Sequence, residues 1–545
     1  MKTSAHDLER YRKARLSNEN GAIIKRTAPL RVCLVFPNTY HTGMSNLAVH
    51  TLYSILNARK DCSCERSFCE EPLIGRSLET GAPLGDFDII AFSVSFELDY
   101  PNVLKALRAA RIPLRTCDRN ELHPLVIAGG PCIFSNPEPL ADYFDLCAIG
   151  EGEELILEVV DTVLDARKYR LRKEPLLHNL SRIPGAYVPS LFSPVYSDDG
   201  TLMRMEARRG DGLPIAPRIV ADLDKHPCSS VIITRETEFA GMFLVELGRG
   251  CRRGCKYCSA CYTYLRRVRS LDSLTTQIRA ARPLSNRIGL VTSDLADYPH
   301  RKELLDFLLQ MGLGFSVSSV RADSITDDLL EGMKAASQRT LTLAPEVGSE
   351  KLAALTGKNI TAEMLLAAAD MALRHHIIHF RLYFIIGLPG EEDNDVEAIT
   401  ALVSKVQRKM QQAAKGLGKV GSLTLSVNPF VPKPFTPWQY APFADTSVLS
   451  KRAAILRRGV TRVPNTRLII ESPRMAKLQC AFARGDRRVA FLAERVAEGD
   501  SAAEAMRGFG DRIKRYLDAR TEGAGMRPWN TIKPPAAHRR VATND

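Results

Sequence analysis

Strand-like apolar runs alternate with single amphipathic helices along two stretches of this 545-residue chain. In the first stretch the runs 31–36, 87–95 and 124–130 are separated by helical patterns such as VLKALRAARI. Strands separated by single helices predict a parallel, doubly wound sheet whose ligand site lies beyond the carboxyl ends of the strands. We therefore expect an α/β domain over residues 30–165.

The same alternation returns between residues 241 and 440. Helical segments such as KELLDFLLQM separate six apolar runs, at 242–248, 287–293, 314–320, 340–346, 379–387 and 423–430. Six βα units predict a partial (β/α)6 barrel whose chemistry lies on the loops that follow the strands.

The remaining segments differ in composition. We expect an N-terminal extension over residues 1–29, and a proline-rich connecting region over 166–240. Residues 441–545 are expected to be mostly helical and to end in a disordered tail, KPPAAHRRVATND. A chain of this length exceeds what one hydrophobic core usually covers, so several domains are expected.

The positive charge of the chain is concentrated near its C-terminus. Of the net charge of +13, the segment from Lys451 to Asp545 holds most, with 21 basic against 10 acidic residues. Such a segment either contacts nucleic acid or another polyanion, or forms a solvated helical surface. The chain lacks an apolar run long enough to span a membrane and begins without the apolar stretch of a secretion signal, which predicts a cytoplasmic location.

A cysteine cluster directly follows the first strand of the second stretch. Cys251, Cys255 and Cys258 form a C-x3-C-x2-C pattern on a loop that also contains Gly250 and Gly254. In a chain without a secretion signal, clustered cysteines are metal ligands more often than disulfide partners. Three thiolates can hold three irons of a cubane iron–sulfur cluster and leave the fourth iron open to a small bidentate ligand.

Cys261 makes a four-cysteine zinc site the main alternative. Structural zinc usually takes its four ligands in two separated pairs, whereas these four cysteines lie within eleven residues. We therefore expect a cluster on the first three cysteines, with Cys261 outside the ligand set.

The cysteine spacing, with Tyr257 before the third cysteine, resembles the radical S-adenosylmethionine (SAM) superfamily. The resemblance implies a [4Fe–4S] cluster on Cys251, Cys255 and Cys258 whose open iron binds the methionine moiety of SAM. It also implies reductive cleavage of SAM to a 5′-deoxyadenosyl radical. Motifs along nearly the whole chain, among them NPEPLAD, APEVGSE and NPFVPKPFTPWQ, resemble a family of such enzymes with this N-terminal domain.

Later strand ends supply further cofactor contacts by the same resemblance. TLTLAPEVGSE and YFIIGLPGE resemble the fourth-strand and fifth-strand segments of the superfamily. Two departures stand out: Tyr383 replaces the first glycine of the usual G-x-I-x-G pattern, and VTSDLADYP replaces a Gly-Gly-Glu after the second strand. The cofactor-binding residues implied are Tyr257, Ser293, Asp294, Arg321, Glu346, Ser349, Ile385 and Gly387.

The N-terminal stretch resembles the cobalamin-binding domain that precedes the radical domain in many of these enzymes. The resemblance lies in FPNTYHTGMSN, IAGGPCIFSNPEPLADYFD and AIGEGEE. Domains that ligate cobalt through histidine use D-x-H-x-x-G, and His41 lacks the aspartate and has its glycine offset. Either the domain binds cobalamin without a protein nitrogen ligand, or it keeps the fold without the cofactor.

The resemblance therefore implies a radical SAM enzyme that acts on a C–H position, including methyl transfer through cobalamin. NPFVPKPFTPWQ resembles a segment of methylthiotransferases, and with the basic C-terminal region it suggests RNA as a partner. An external one-electron donor such as flavodoxin or ferredoxin is also implied. The alternative is an iron–sulfur or corrinoid-binding sensor or carrier without catalysis, which would not need SAM-contacting strand ends.

Overall fold

A computed structural model describes residues 4–25, 27–208, 212–317, 319–520 and 525–534, which form two compact units. The first unit comprises residues 4–241, Ala481–Tyr516 and 525–534, and the second comprises Met242–Cys480 and Leu517–Arg520. The domain limits expected from the sequence stay predictions. The expected disordered tail lies outside the described residues from position 535 onward.

The first unit is built on a six-stranded sheet with the strand order β2-β1-β3-β4-β5-β6. The first five strands are parallel, and β6 runs antiparallel to β5. A separate antiparallel hairpin joins β7 to β8. The strands are β1 (Leu30–Phe36), β2 (Cys62–Phe68), β3 (Ile89–Ser93), β4 (Leu125–Gly129), β5 (Leu146–Ala148), β6 (Ala186–Tyr187), β7 (Phe192–Tyr196) and β8 (Leu202–Ala207).

Helices flank the strands of this sheet, one before β1 and others after β1, β3, β4 and β5. They are α1 (Ala5–Ser17), α2 (Tyr40–Gly43), α3 (Leu47–Ala58), α4 (Tyr100–Ala109), α5 (Pro131–Ser135), α6 (Gly152–Lys168) and α7 (Lys173–Ser181). Every residue of β2 and β3 is buried, so both faces of the sheet are covered. The predicted doubly wound α/β class is confirmed.

Strand β2 contains a buried ion-pair network. Arg66 is fully buried, and its guanidinium lies 2.7 Å from Glu19 and 2.7 Å from Glu79. The Tyr40 hydroxyl donates to Glu19 at 2.7 Å. Glu19 belongs to the N-terminal extension, which is thereby attached to the sheet. The buried charge of Arg66 is tolerated because each nitrogen of its guanidinium donates to a carboxylate.

The second unit contains two parallel sheets whose strands follow one another in chain order. One has the order β13-β12-β9 and the other the order β14-β15-β16-β17, and a parallel bridge joins Val320 to Leu343. A short antiparallel pair, β10 with β11, lies apart from both. The strands are β9 (Phe243–Glu246), β10 (Gly248–Arg249), β11 (Arg267–Val268), β12 (Arg287–Val291), β13 (Gly314–Val317), β14 (Thr340–Glu346), β15 (His379–Ile386), β16 (Leu423–Pro429) and β17 (Thr466–Ile470).

The predicted parallel α/β architecture is therefore confirmed for the second unit, while the closure of its strands into a barrel stays a prediction. Its helices are α8 (Ala260–Thr263), α9 (Leu271–Ala281), α10 (Arg301–Gln310), α11 (Asp327–Ala335), α12 (Glu350–Thr356), α13 (Ala362–Arg374), α14 (Asp393–Leu417) and α15 (Thr446–Val460).

The C-terminal region is mostly helical, as predicted, although it includes β17. Its further helices are α16 (Pro473–Arg484), α17 (Ala490–Ala497), α18 (Ala502–Phe509) and α19 (Lys514–Leu517). Helix α18 begins at Ser501 with a capping box, in which the side chains of Ser501 and Glu504 each bond the backbone of the other residue.

Candidate iron–sulfur site

The cysteine loop of the second unit begins after β9 and is closed at its base by β10 and β11. Gly248 pairs with Val268 there, and a Cβ at Gly248 would lie 2.4 Å from the carbonyl oxygen of Arg267. Gly250 has φ of 74°, and its Cβ would lie 2.6 Å from the carbonyl oxygen of Tyr264. Because glycine has no Cβ, the two sides of the loop can approach this closely.

The loop brings four cysteines into one region. Cys255 and Cys261 are buried, whereas Cys251 and Cys258 are half-buried. Hydrogen bonds from Cys261 lower the pKa of Cys251 to about 6 and that of Cys258 to about 7. Burial raises the pKa of Cys255, and the positive charges of nearby basic side chains oppose that rise.

This set of donors fits an iron–sulfur cluster. Iron–sulfur clusters are held by thiolates, and the surroundings of Cys251 and Cys258 favour the thiolate near neutral pH. In the described part of the chain, no three His, Cys, Asp or Glu side chains are gathered as for a single metal ion. A cubane does not require such a gathering, because each thiolate binds a different iron.

Lys256, between the second and third cysteines, is held through its backbone on both sides. Its N–H donates to the carbonyl oxygen of Thr356 at 3.0 Å, and its carbonyl accepts from the N–H of Trp438 at 3.3 Å. Thr356 is the last residue of α12 and is fully buried. Sequence reasoning missed both contacts, because backbone hydrogen bonds leave no signature in the side chains.

Three of the predicted cofactor-binding residues join one polar chain beside Cys255. Tyr257 is hydrogen-bonded to Glu346, and burial together with this carboxylate raises the pKa of Tyr257. Glu346 also pairs with Lys358, whose Nζ lies 2.8 Å from Oε1. The carbonyl of Lys358 accepts from Arg321 at 3.0 Å. Lys358 was not predicted, since a single lysine in a loop stands out in no motif.

Two of the predicted cofactor-binding residues pack against the same apolar cluster. Tyr257, from the cysteine loop, and Ile385, near the end of β15, pack against the same buried core. The ring of Trp438 packs there too, edge to face with Phe430 at 5.6 Å between centroids. The buried members of the core are Val347, Leu352, Ala353, Leu388 and Phe430. An apolar surface of this kind suits an aromatic ring such as adenine and excludes water.

Asp294 and Ser293 follow β12 and differ in their environment. Asp294 is 6% exposed, and its Oδ2 accepts from Nε of Arg253 at 2.7 Å. Its Oδ1 accepts the N–H of Ala296 at 3.1 Å. Asp294 therefore attaches the cysteine loop to the neighbouring strand end, whereas the side chain of Ser293 is exposed.

Ser349 and Gly387 both have structural roles. The Ser349 hydroxyl donates to Asp395 at 2.7 Å and accepts the N–H of Leu352 at 3.3 Å, which caps α12. Gly387 has φ of 84°, and a Cβ there would lie 2.7 Å from Leu449. The contacts of these two residues with SAM stay predictions.

The carboxyl edge of the first sheet carries amide and hydroxyl side chains. Asn38 donates to Asp99 at 2.7 Å, and Asn46 donates to Ser95 at 3.1 Å. They lie near β1 and β3, where the strand order β2-β1-β3 reverses direction and ligands of doubly wound sheets bind. His41 is exposed and lies in the short helix α2.

These features define an α/β iron–sulfur enzyme. A sequence model of the Radical SAM superfamily matches residues 245–403, and one of the N-terminal domain of radical SAM proteins matches residues 48–189. The chain belongs to the radical SAM superfamily. It is a radical SAM enzyme, which uses SAM and needs an external electron donor.

Several known proteins are similar to this chain. An uncharacterized protein of Methanocaldococcus jannaschii is 28% identical over 506 residues, which cover 92% of this chain and 98% of that protein. The ribosomal protein uS12 methylthiotransferase RimO of Thermotoga maritima is 25% identical over 177 residues, which cover 30% of this chain and 41% of RimO.

A solved structure with a similar fold comes from another radical SAM enzyme. The radical SAM methyltransferase TsrM of Kitasatospora setae, solved with cobalamin and a [4Fe–4S] cluster bound, has a TM-score of 0.53 at 14% identity. The likeness covers 88% of this chain and 99% of TsrM.

Within the described residues, no helix is both long and apolar enough to cross a lipid bilayer.

Proposed function

We propose that Cys251, Cys255 and Cys258 hold the cluster and that SAM binds beside Tyr257 and Ile385. The observation that supports this assignment is that Tyr257 of the cysteine loop and Ile385 of β15 pack on one apolar core. Bound there and reduced by a donor such as flavodoxin or ferredoxin, the cluster would supply the electron for reductive cleavage of SAM, which is the chemistry that radical SAM enzymes use to act on C–H bonds.

The protein side chains then have separate tasks. The apolar core around Tyr257 would exclude water from the bound SAM. Arg321 and Lys358 place positive charge beside Cys255, which offsets the negative charge of thiolates and sulfides. The ion pair of Asp294 with Arg253 keeps the cysteine loop against the end of β12.

The test is 5′-deoxyadenosine formation by the full chain. After anaerobic reconstitution with iron and sulfide, dithionite and SAM should yield 5′-deoxyadenosine and methionine. Cys117→Ala, which removes an exposed cysteine of the first unit, is the matched control and should retain both iron and product. An intact cluster that gives no 5′-deoxyadenosine would instead support a sensor or carrier.

We further propose that the first unit binds cobalamin without a protein nitrogen ligand to cobalt. The amide and hydroxyl side chains of Asn38, Asn46 and Ser95 at the strand switch point suit the amide groups of a corrin. TsrM, whose fold is similar, was solved with cobalamin bound, which supports cobalamin binding here. His41 is exposed, on a helix of only four residues.

Titration of the full chain with hydroxocobalamin tests this proposal. The wild type and His41→Ala should bind it with equal affinity and with the same visible spectrum. Loss of binding in His41→Ala would identify a nitrogen ligand and contradict the proposal, and so would absence of binding by the wild type.

A further inference from the structure

The four-stranded sheet of the second unit is covered on one face and open on the other. Burial alternates along its two central strands, with β16 buried at every second residue from Leu423 to Pro429. The side chains of Phe380, Leu382 and Leu425 are fully or almost fully buried. Consecutive parallel strands joined by right-handed connections place their connecting helices mainly on one side, so the partly exposed residues belong to the opposite face, which α12 reaches only near Ile385.

The strand register groups the residues of this open face into rows. The first row contains Thr342, Arg381, Thr424 and Arg467. The second contains Tyr383, Ser426 and Ile469, and the third contains Ile385 and Asn428. Tyr383, which departs from the glycine of the superfamily pattern, therefore lies at the centre of the face.

The first row concentrates positive charge. Arg381 and Arg467 are exposed, and neither has a hydrogen-bond or ion-pair partner among the residues that the structure describes. They lie two strands apart, which corresponds to about 10 Å. Thr424 lies between them. Two exposed guanidinium groups without carboxylates favour an anion that can pair with both.

The second row combines an aromatic and an aliphatic side chain with Ser426 between them. Tyr383 is half-buried, and Ile469 is 41% exposed. Ile385, in the third row, packs on the core that we assign to SAM. Ile385 lies four positions after Arg381 in β15, so the charged row lies about 13 Å along the strand from the proposed SAM site.

We propose that the open face binds a nucleotide-bearing substrate, with phosphate on Arg381 and Arg467 and a base stacked on Tyr383. A bare sheet face that offers an aromatic ring beside arginines suits stacking and phosphate pairing together. This inference rests on the proposed function, because it places the reacting carbon near Ile385. An acidic peptide would pair with the arginines but would leave Tyr383 and Ile469 without a flat partner.

Binding of fluorescein-labelled single-stranded RNA to the full chain, measured by anisotropy, tests the proposal. The double variant Arg381→Ala/Arg467→Ala should weaken binding by about tenfold or more. It should also make the slope of log affinity against log salt concentration shallower, by the amount expected for the loss of one to two phosphate contacts. Replacing both residues by lysine should restore part of the affinity. Arg374→Ala, an exposed arginine at the end of α13, is the control and should bind as the wild type does.

The aromatic position gives an independent readout. Tyr383→Phe should retain the affinity, and Tyr383→Ser should lose a few-fold to about a hundredfold, as expected for one stacked base. Competitors then identify the source of the nucleotide. Displacement by AMP indicates a free nucleotide, and displacement only by RNA or DNA oligomers indicates a nucleic acid.

Two results would overturn the proposal. One is unchanged RNA binding in the double alanine variant, and the other is displacement of RNA by polyglutamate as effectively as by RNA itself. The binding measurement requires neither cluster nor SAM, whereas 5′-deoxyadenosine formation by the wild type requires no nucleotide. Failure of one can therefore be distinguished from failure of the other.

Discussion

The parallel sheets of the two units differ in what covers them. In the first unit β2 and β3 are buried at every residue, so neither face is available to a ligand. In the second unit β15 and β16 are buried at alternate residues, and one face carries threonine, serine, arginine and tyrosine side chains.

Strand order explains the difference. The order β2-β1-β3 reverses direction beside β1 and distributes the connecting helices over both faces. The order β14-β15-β16-β17 never reverses, so right-handed connections place the helices on a single face. The first sheet can bind ligands only at its edge, while the second offers both an edge and a face.

The largest expected effect separates the chemistry of the two units. Cys255→Ala should abolish iron binding and 5′-deoxyadenosine formation, because a cluster with two thiolates is not retained. His41→Ala, in the first unit, should leave iron content unchanged. Iron and sulfide analysis after reconstitution checks both variants.

Cys261→Ala sharpens the same test, because the cluster is assigned to three cysteines. It should leave iron content nearly unchanged. Equal iron losses in Cys255→Ala and Cys261→Ala would instead indicate a four-cysteine metal site.

Substitutions at neighbouring strand positions test the contrast between the sheets directly. In β3, Ile89→Ala and Ile90→Ala should each cost about 2–5 kcal/mol of unfolding free energy, because both side chains are buried. In β16, Leu425→Ala should cost as much, whereas Ser426→Ala should stay within about 0.5 kcal/mol. Denaturant unfolding measures all four, and a large cost at Ser426 would show that its face is packed.

Replacing a glycine by alanine should have different effects in the cysteine loop of the second unit and at the end of β4 in the first unit. Gly250→Ala should strain the cysteine loop by about 1–3 kcal/mol and lower the iron incorporated on reconstitution, since its Cβ would meet a carbonyl at 2.6 Å. Gly130→Ala meets a carbonyl of Val94 at the same distance and should destabilise the first unit without changing the ligand set of the cluster. Gly254→Ala has a similar positive φ of 70° but meets nothing within 4 Å, so it controls for the backbone strain and should lose less iron than Gly250→Ala.

The smallest effect is a pH dependence confined to the first unit. Burial lowers the pKa of His50 to about 4, against about 6.5 in the unfolded chain. Between these values the unfolded state binds a proton that the folded state does not, so stability falls as pH decreases. At pH 5 the loss relative to pH 7 is about 2 kcal/mol.

Comparison with variants isolates this contribution. His50→Gln should remove it from urea unfolding curves recorded at the two pH values, whereas His300→Gln, at an exposed histidine, should not. A wild-type loss that persists in His50→Gln would assign the pH dependence to other groups.

Most strands could be predicted because buried strands have continuous apolar sequences. The run at 31–36 corresponds to Leu30–Phe36, and the run at 87–95 contains Ile89–Ser93. Strand β2 was not predicted, because CSCERSF has a polar composition although all seven residues are buried. Arg66 is compatible with burial only because Glu19 and Glu79, distant in sequence, pair with it. No local pattern reveals such a pairing.

In the candidate site, too, local sequence patterns could be predicted and contacts between distant segments could not. The spacing of Cys251, Cys255 and Cys258 is local and could be identified directly, as could Tyr257 and the strand-end motif around Glu346. The backbone contacts of Lys256 join it to Thr356 and Trp438, about 100 and 180 residues further along the chain, and Lys358 lies about 100 residues after Cys255. Hydrogen bonds at that separation are set by packing.

The sequence by itself determined the α/β class, the radical SAM family and the cysteine loop, because periodicity and ligand spacing are local properties of a chain. Only the tertiary structure decided which face of β15 and β16 stays open and that Arg381, Tyr383 and Arg467 share it. The physical reason is that strand order and register position these residues, and neither can be read from any single strand.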